Sequence, residues 1–185
     1  MSPRWPWFFA GMVAALATCG ALGMTVIQTG AFEARASKPD DPISAWVTHT
    51  TMSNAMRREA RSVPAPASFT REQILAGLRL YQSRCIACHG GPGVARADWV
   101  QGLTPSPPYL IDASQRWTRP ELYWMVKHGV KMTAMPAWGP TENDQEVWDV
   151  VAFLVAMPDI KPAEFQRIEA GRTQVQAAAP KRQAR

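Results

Sequence analysis

The sequence predicts an all-α protein, and three observations carry that prediction. Several stretches place apolar residues three and four apart and open on capping signals, which is the pattern of helices buried along one side. No strand-rich stretch and no internal repeat occurs in the 185 residues. Finally, Cys85-Ile86-Ala87-Cys88-His89 closes one of the periodic stretches, so a single short turn displays two thiols and an imidazole. The length allows one domain of ordinary size plus appendages.

The chain opens on an almost wholly apolar, uncharged run from Trp7 to Ile27, about the length a membrane-spanning helix needs. Arg4 precedes it, and Trp5 and Trp7 suit an interfacial belt. Residues 1–30 are therefore expected to be a transmembrane anchor or uncleaved signal. Two rivals stand beside that reading. Ala34-Arg35-Ala36 has the form of a cleavage site, but signal cores are shorter and the charges at Glu33 and Arg35 fit cleavage poorly. Leu16-Ala17-Thr18-Cys19 faintly resembles a lipidation box, yet the apolar run continues well past Cys19.

Residues 31–68 are expected to be a linker with a short helix. Residues 36–43 hold two prolines and paired acids. Ser44 to Ser62 has an uneven apolar face of Trp46, Val47, Met52, Ala55 and Met56. Val63-Pro64-Ala65-Pro66-Ala67 is a stiffer spacer tending to polyproline II. His49 and Met52 are metal-ligand types, but packing or solvation explains them more simply.

A domain is expected over 69–160. Thr70 with Gln73 forms a capping-box pattern, followed by Ile74, Leu75, Leu78 and Tyr81 on one stripe. Gly77 in mid-helix costs about 1 kcal/mol relative to Ala, so a close helix crossing is expected there. After His89 come Gly90-Gly91-Pro92-Gly93 and then a loop over 94–117 with no clean period. Thr118 with Glu121 is a second capping box, with Pro120 tolerated in the first turn. Leu122, Tyr123, Trp124 and Val126 build a helix that Gly129 ends. Lys131 to Gly139 is loop, and Thr141 with Asp144 is expected to start a last helix that stops at Pro158. Residues 161–185 are expected to be a mostly disordered basic tail, with a little helix near Phe165 and Ile168.

The net charge of +5 raises the question of nucleic acid. Residues 70–160 hold eight Lys and Arg against nine Asp and Glu, so the basic excess lies at the two ends. A nucleic-acid footprint would be a basic face on the folded domain, and none is expected.

Cys-x-x-Cys followed at once by His is a c-type haem attachment pattern. The turn presents both sulfurs to the two vinyl groups of a porphyrin, and the histidine reaches the iron from the same side. A zinc site would need a second ligand pair, and the only other cysteine, Cys19, lies in the apolar run. A redox dithiol would follow a strand in a βαβ pattern, which is absent. The sixth iron position has several candidates: Met125, His128, Met132, Met135 and Met157. Met125 and Met157 suit core or helix-end positions, and His128 suits a cation at a helix C-terminus. Met135 precedes Pro136 in a loop punctuated by Gly129, Gly139 and Pro140, and Pro136 stiffens the chain that must hold a thioether in place.

From Phe69 to Met157 the chain resembles the monohaem cytochromes c of the class I type, in a version with an N-terminal membrane segment. The resemblance rests on Cys85-Ile86-Ala87-Cys88-His89 and on Met135-Pro136-Ala137-Trp138-Gly139. It implies a class I cytochrome c-like helical domain wrapped around one covalently attached haem c. It also implies His89 and Met135 as axial ligands and Cys85 and Cys88 as the attachment points. A loop proline, Pro107 or Pro108 with Pro108 carried as the site residue, would offer its carbonyl to the axial histidine and raise its basicity. Gly77 and Tyr81 would cross Val150 and Phe153. Covalent haem attachment implies maturation on an oxidising side, hence a bacterial inner-membrane protein with its haem domain in the periplasm.

Methionine–histidine ligation fills both axial positions and raises the potential. The expected function is therefore electron carriage between redox protein partners, with no catalytic residue. Lys127, Lys131, Arg116 and Arg119 flank the methionine side and could guide an acidic partner. Two other readings stay open: an electron-transfer subunit of a respiratory or dehydrogenase complex, and a haem enzyme or sensor that releases Met135.

Overall fold

The computed structural model describes residues 5–31 and 33–167, and among these residues no strand forms. The chain divides into two units, Met1–Lys38 and Pro39–Arg185. The first is built on α1 (Trp5–Thr29), a helix long and apolar enough to cross a membrane. Its threonines do not leave hydroxyls unpaired on an apolar surface. Thr18, Thr25 and Thr29 donate to the carbonyls of Ala14, Ala21 and Thr25 at 2.9, 2.8 and 2.7 Å. Beyond the helix, Glu33 pairs with Arg35 and Lys38 at 2.8 and 3.2 Å.

The second unit holds α2 (Pro42–Ala60), α3 (Arg71–Arg84), α4 (Ile86–His89), α5 (Ala113–Arg116), α6 (Arg119–His128) and α7 (Asp144–Ala156). Asp41 caps α2 by accepting from the Ile43 and Ser44 amides, and Pro42 takes the first turn, where its missing N–H costs nothing. Both capping boxes expected from the sequence form, at Thr70–Gln73 and Thr118–Glu121. The core is the α3–α7 crossing. A Cβ on Gly77 would lie 1.7 Å from the Asp149 carbonyl oxygen, so the two backbones touch. Beside that contact Tyr81 and Phe153 pack with ring centroids 5.1 Å apart. On the other side of α7, Trp148 stacks on Tyr123 of α6 at 4.3 Å and 23°.

Four features differ from the sequence reading. The last helix starts at Asn143, whose side chain accepts from the Gln145 and Glu146 amides while Glu146 reaches back. Thr141 is committed elsewhere: its amide and that of Glu142 both donate to the Trp138 carbonyl, closing the preceding loop. The segment 94–117 is not all loop. It contains a 3-10 turn over Asp98–Gly102, with Val100 buried, and the short α5.

The helix α2 packs as part of the second unit rather than as a spacer element. Ser53, Met56 and Ala60 are buried, and Arg57 lies over Trp117 and 3.8 Å from Glu121. Arg119 donates to the Pro66 and Ala67 carbonyls at 2.7 and 2.6 Å, which pins the polyproline-like stretch as well. The core also reaches past Ile160. A helical turn over 162–167 buries Phe165 completely and stacks it on Phe153 at 6.2 Å. Ile168 and the basic tail after it lie outside the described residues.

Candidate haem-attachment site

The last turn of α3 flows directly into α4 through Cys85. The Cys88 and His89 amides both donate to the Cys85 carbonyl, at 3.1 and 2.9 Å. Helical continuity thus sets two half-buried, unpaired thiols and one half-buried imidazole on consecutive turns of one surface. Burial and the neighbouring Cys88 push the Cys85 thiol up to about 12, so it stays protonated until it reacts.

His89 Nδ1 lies 2.7 Å from the Pro108 carbonyl oxygen. A carbonyl can only accept, so the proton sits on Nδ1 and the Nε2 lone pair is left for a ligand bond. Burial lowers the histidine's pKa, opposed by the Pro108 bond, and the neutral form prevails. Of the two prolines that the sequence leaves open, Pro108 is the one bonded to His89. Pro107 turns its carbonyl to Arg96, which donates to it and, at 3.2 Å, to Ser106 Oγ. The Arg96 guanidinium also covers the Tyr109 ring at 4.4 Å, and Arg116 donates to the Tyr109 carbonyl at 3.0 Å. Two arginines therefore hold the stretch that holds the histidine.

Gly90 completes the turn with φ +64, a conformation that L side chains seldom adopt. A Cβ there would also meet the Val94 carbonyl at 2.7 Å and the Tyr109 ring at 2.9 Å. Its carbonyl accepts from the buried Tyr81 hydroxyl at 2.7 Å. The next residue, Gly91, has the Phe165 ring where its Cβ would be, and Gln166 donates to the Gly93 carbonyl at 2.7 Å. The chain after the domain's last helix thus braces the loop that follows His89.

Met135 sits on a second loop, folded back on the end of α6. Val130 donates to the Met135 carbonyl at 3.2 Å, and Thr133 Oγ1 accepts from the Met135 amide at 3.1 Å. Trp138 and Gly139 donate to the Val126 and Lys127 carbonyls at 3.2 and 2.9 Å, satisfying helix-end acceptors. The other candidates are placed differently. Met157 is fully buried in the core, and Met125 packs against it. His128 is exposed beside Trp124, and Met132 is 86% exposed at φ +61.

A small hollow lies between the end of α3, α6, α7 and the Met135 loop. Cys85, Leu80, Val126, Trp138, Val147 and Val150 are among the residues that line it, so the Met135 loop and the cysteine helix share a wall. This donor set fits a covalently bound haem: two free thiols, an imidazole with its outer nitrogen already committed, and apolar surface beside them. Cys85, Cys88, His89 and Pro108 form one cluster, while Met135 stands on its own loop.

The cations expected to guide a partner are mostly bonded within the fold. Arg116 pairs with Asp112 at 2.9 Å, Arg119 holds the 66–67 carbonyls, and Lys127 reaches Asp144 at 2.6 Å and the Tyr123 hydroxyl at 3.1 Å. Sequence reasoning missed Arg96 and the Tyr81 hydroxyl as supports. Neither has a local signal, because each acts on residues nine or more positions away.

Residues 72–154 match the family model described as cytochrome C oxidase, cbb3-type, subunit III. The matched span runs from the first turn of α3 into α7, so it contains Cys85, Cys88, His89, Pro108 and Met135. No curated protein and no solved structure matches the chain.

Proposed function

We propose that residues 72–154, an all-α c-type cytochrome domain of an electron-transfer protein, carry single electrons through one haem c. In this reading Cys85 and Cys88 would bond the porphyrin, and His89 and Met135 would ligate its iron. The observation that carries it is the 2.7 Å bond from His89 Nδ1 to Pro108, which fixes the ring and leaves its basic Nε2 free for a metal. The haem supplies a one-electron iron couple when bound. The chain's own residues do the rest. Pro108 orients His89 and raises its basicity, and Arg96 with Arg116 keeps Pro108 in place. The Thr133 and Val130 bonds hold Met135 at a set point of its loop. Ligated by both His89 and Met135, the group would serve one-electron transfer and not substrate binding.

The apolar α1 fits membrane anchoring. In this reading the domain lies on the exported, periplasmic side of a bacterial inner membrane, which covalent haem attachment supports. The protein partners are a donor and an acceptor of single electrons. The family's description as an oxidase subunit favours a second reading, in which the chain is the electron-transfer subunit of a larger membrane complex. Gentle detergent extraction separates the two: a subunit leaves the membrane with integral partners, a free-standing carrier alone.

Met135→Ala tests the ligation. The variant's ferrous haem is expected to become high-spin and to bind carbon monoxide, while Met132→Ala leaves the spectrum unchanged. An unaltered low-spin spectrum in Met135→Ala would show that another residue is the ligand.

A further inference from the structure

We propose that the first turns of α2 lie in the lipid headgroup region, so that the unit carrying the haem touches the bilayer surface through Ile43, Trp46 and Val47. Ile43 is 74%, Trp46 68% and Val47 45% exposed, clustered at one end of a helix whose other end is buried. Met56 and Ala60 sit in the packed interface, and Arg57 is tied to Glu121 and Trp117. The helix is therefore held firmly by its C-terminal half and presents its N-terminal half outward. From Pro42 to Met56 it carries no Asp, Glu, Lys or Arg. A solvated helix face is normally studded with such charges, whereas Trp beside aliphatic residues is the composition of a membrane–water interface.

The length of chain between α1 and α2 names the occupant. This inference rests on reading α1 as a retained anchor. The anchor ends at Thr29 and α2 begins at Pro42. A flexible chain of that length spans about 20 Å on average and cannot exceed roughly 45 Å when fully extended. Ile43 is thus confined near the bilayer surface, and at the high effective concentration of a short tether even weak apolar affinity is expressed.

The nearby charges settle the kind of contact. Glu33, Asp40 and Asp41 outnumber Arg35 and Lys38, and Arg35 and Lys38 are already paired with Glu33. Attraction to anionic headgroups is therefore not the source of binding. Apolar insertion is, and it is independent of lipid charge and of salt.

The test uses the full haem-loaded chain in nanodiscs of zwitterionic lipid, with spin labels read by oxygen and by a water-soluble nickel chelate. Native Cys19 in α1 carries the anchor label. In a Cys19→Ser background, Ile43→Cys, Val47→Cys and Arg58→Cys carry the others, all at exposed positions. Labels at 43 and 47 are expected to show an oxygen-to-nickel ratio severalfold above that at 58, unchanged by high salt or by anionic lipid. Labels at 43 and 47 as nickel-accessible as 58, with Cys19 in lipid, would overturn this contact alone and assign the face to a protein partner. A Cys19 label in water would remove the anchor and the contact together.

Discussion

Gly77→Ala is the sharpest test of how α3 and α7 are joined. The added methyl would sit 1.7 Å from the Asp149 carbonyl oxygen and 2.4 Å from its carbon, which is backbone that cannot swing aside. Ordinary C···O contact is roughly 3.3 Å, so the helices must part locally by about 1.6 Å. A gap of even ~1 Å forfeits up to about half of the dispersion attraction across it, and that attraction is what holds Leu78 and Tyr81 against Phe153. Forcing atoms into a packed core costs about 1–3 kcal/mol, with backbone clashes at the upper end. Against this, alanine regains about 1 kcal/mol over glycine inside a helix. The net is a loss of about 2 kcal/mol, a large share of the ~5–15 kcal/mol that holds a domain. Thermal unfolding of the full chain in detergent, followed by far-ultraviolet circular dichroism, should show Tm falling by ~10 °C. A Tm at or above wild type would mean that the helices do not touch at Gly77.

Phe165→Ala should cost about 3–4 kcal/mol, as for other fully buried aromatic rings, although Phe165 lies beyond the last long helix; chemical denaturation measures it, and a loss under ~1 kcal/mol would remove Phe165 from the core. Asn143→Ala should lose about 1 kcal/mol by deleting the α7 cap, with Thr141→Ala costing less. The reverse order in denaturant midpoints would return the helix start to Thr141.

The elements most legible in the sequence are those specified by neighbours. The boxes at Thr70–Gln73 and Thr118–Glu121 need only residues three apart, and both form as read. The last helix was displaced because Thr141 and Asn143 are both good caps. Only the turn onto the Trp138 carbonyl decides between them. A little helix was expected near Phe165, but its place in the core was not legible, because the residues that bury it, Gly91 and Phe153, lie far from it in the chain.

The reading of α2 as a short helix within a linker had the same cause, since its burial depends on Trp117 and Glu121 of the α5–α6 region. Within the site, the grouping of the cysteines and His89 was legible because residues three and four apart share one helical turn. The choice between Pro107 and Pro108 was not, because it depends on where Arg96 reaches. The basic residues read as a docking face turned out to be mainly internal ties, since a charge in a sequence does not reveal which carboxylate or carbonyl it meets.

The most direct test of the account is carbon monoxide added to the dithionite-reduced, intact wild-type protein. Iron held by His89 and Met135 predicts a low-spin ferrous spectrum that the gas leaves unchanged. Rapid, stoichiometric uptake of carbon monoxide would contradict it, because the iron would then have an open face.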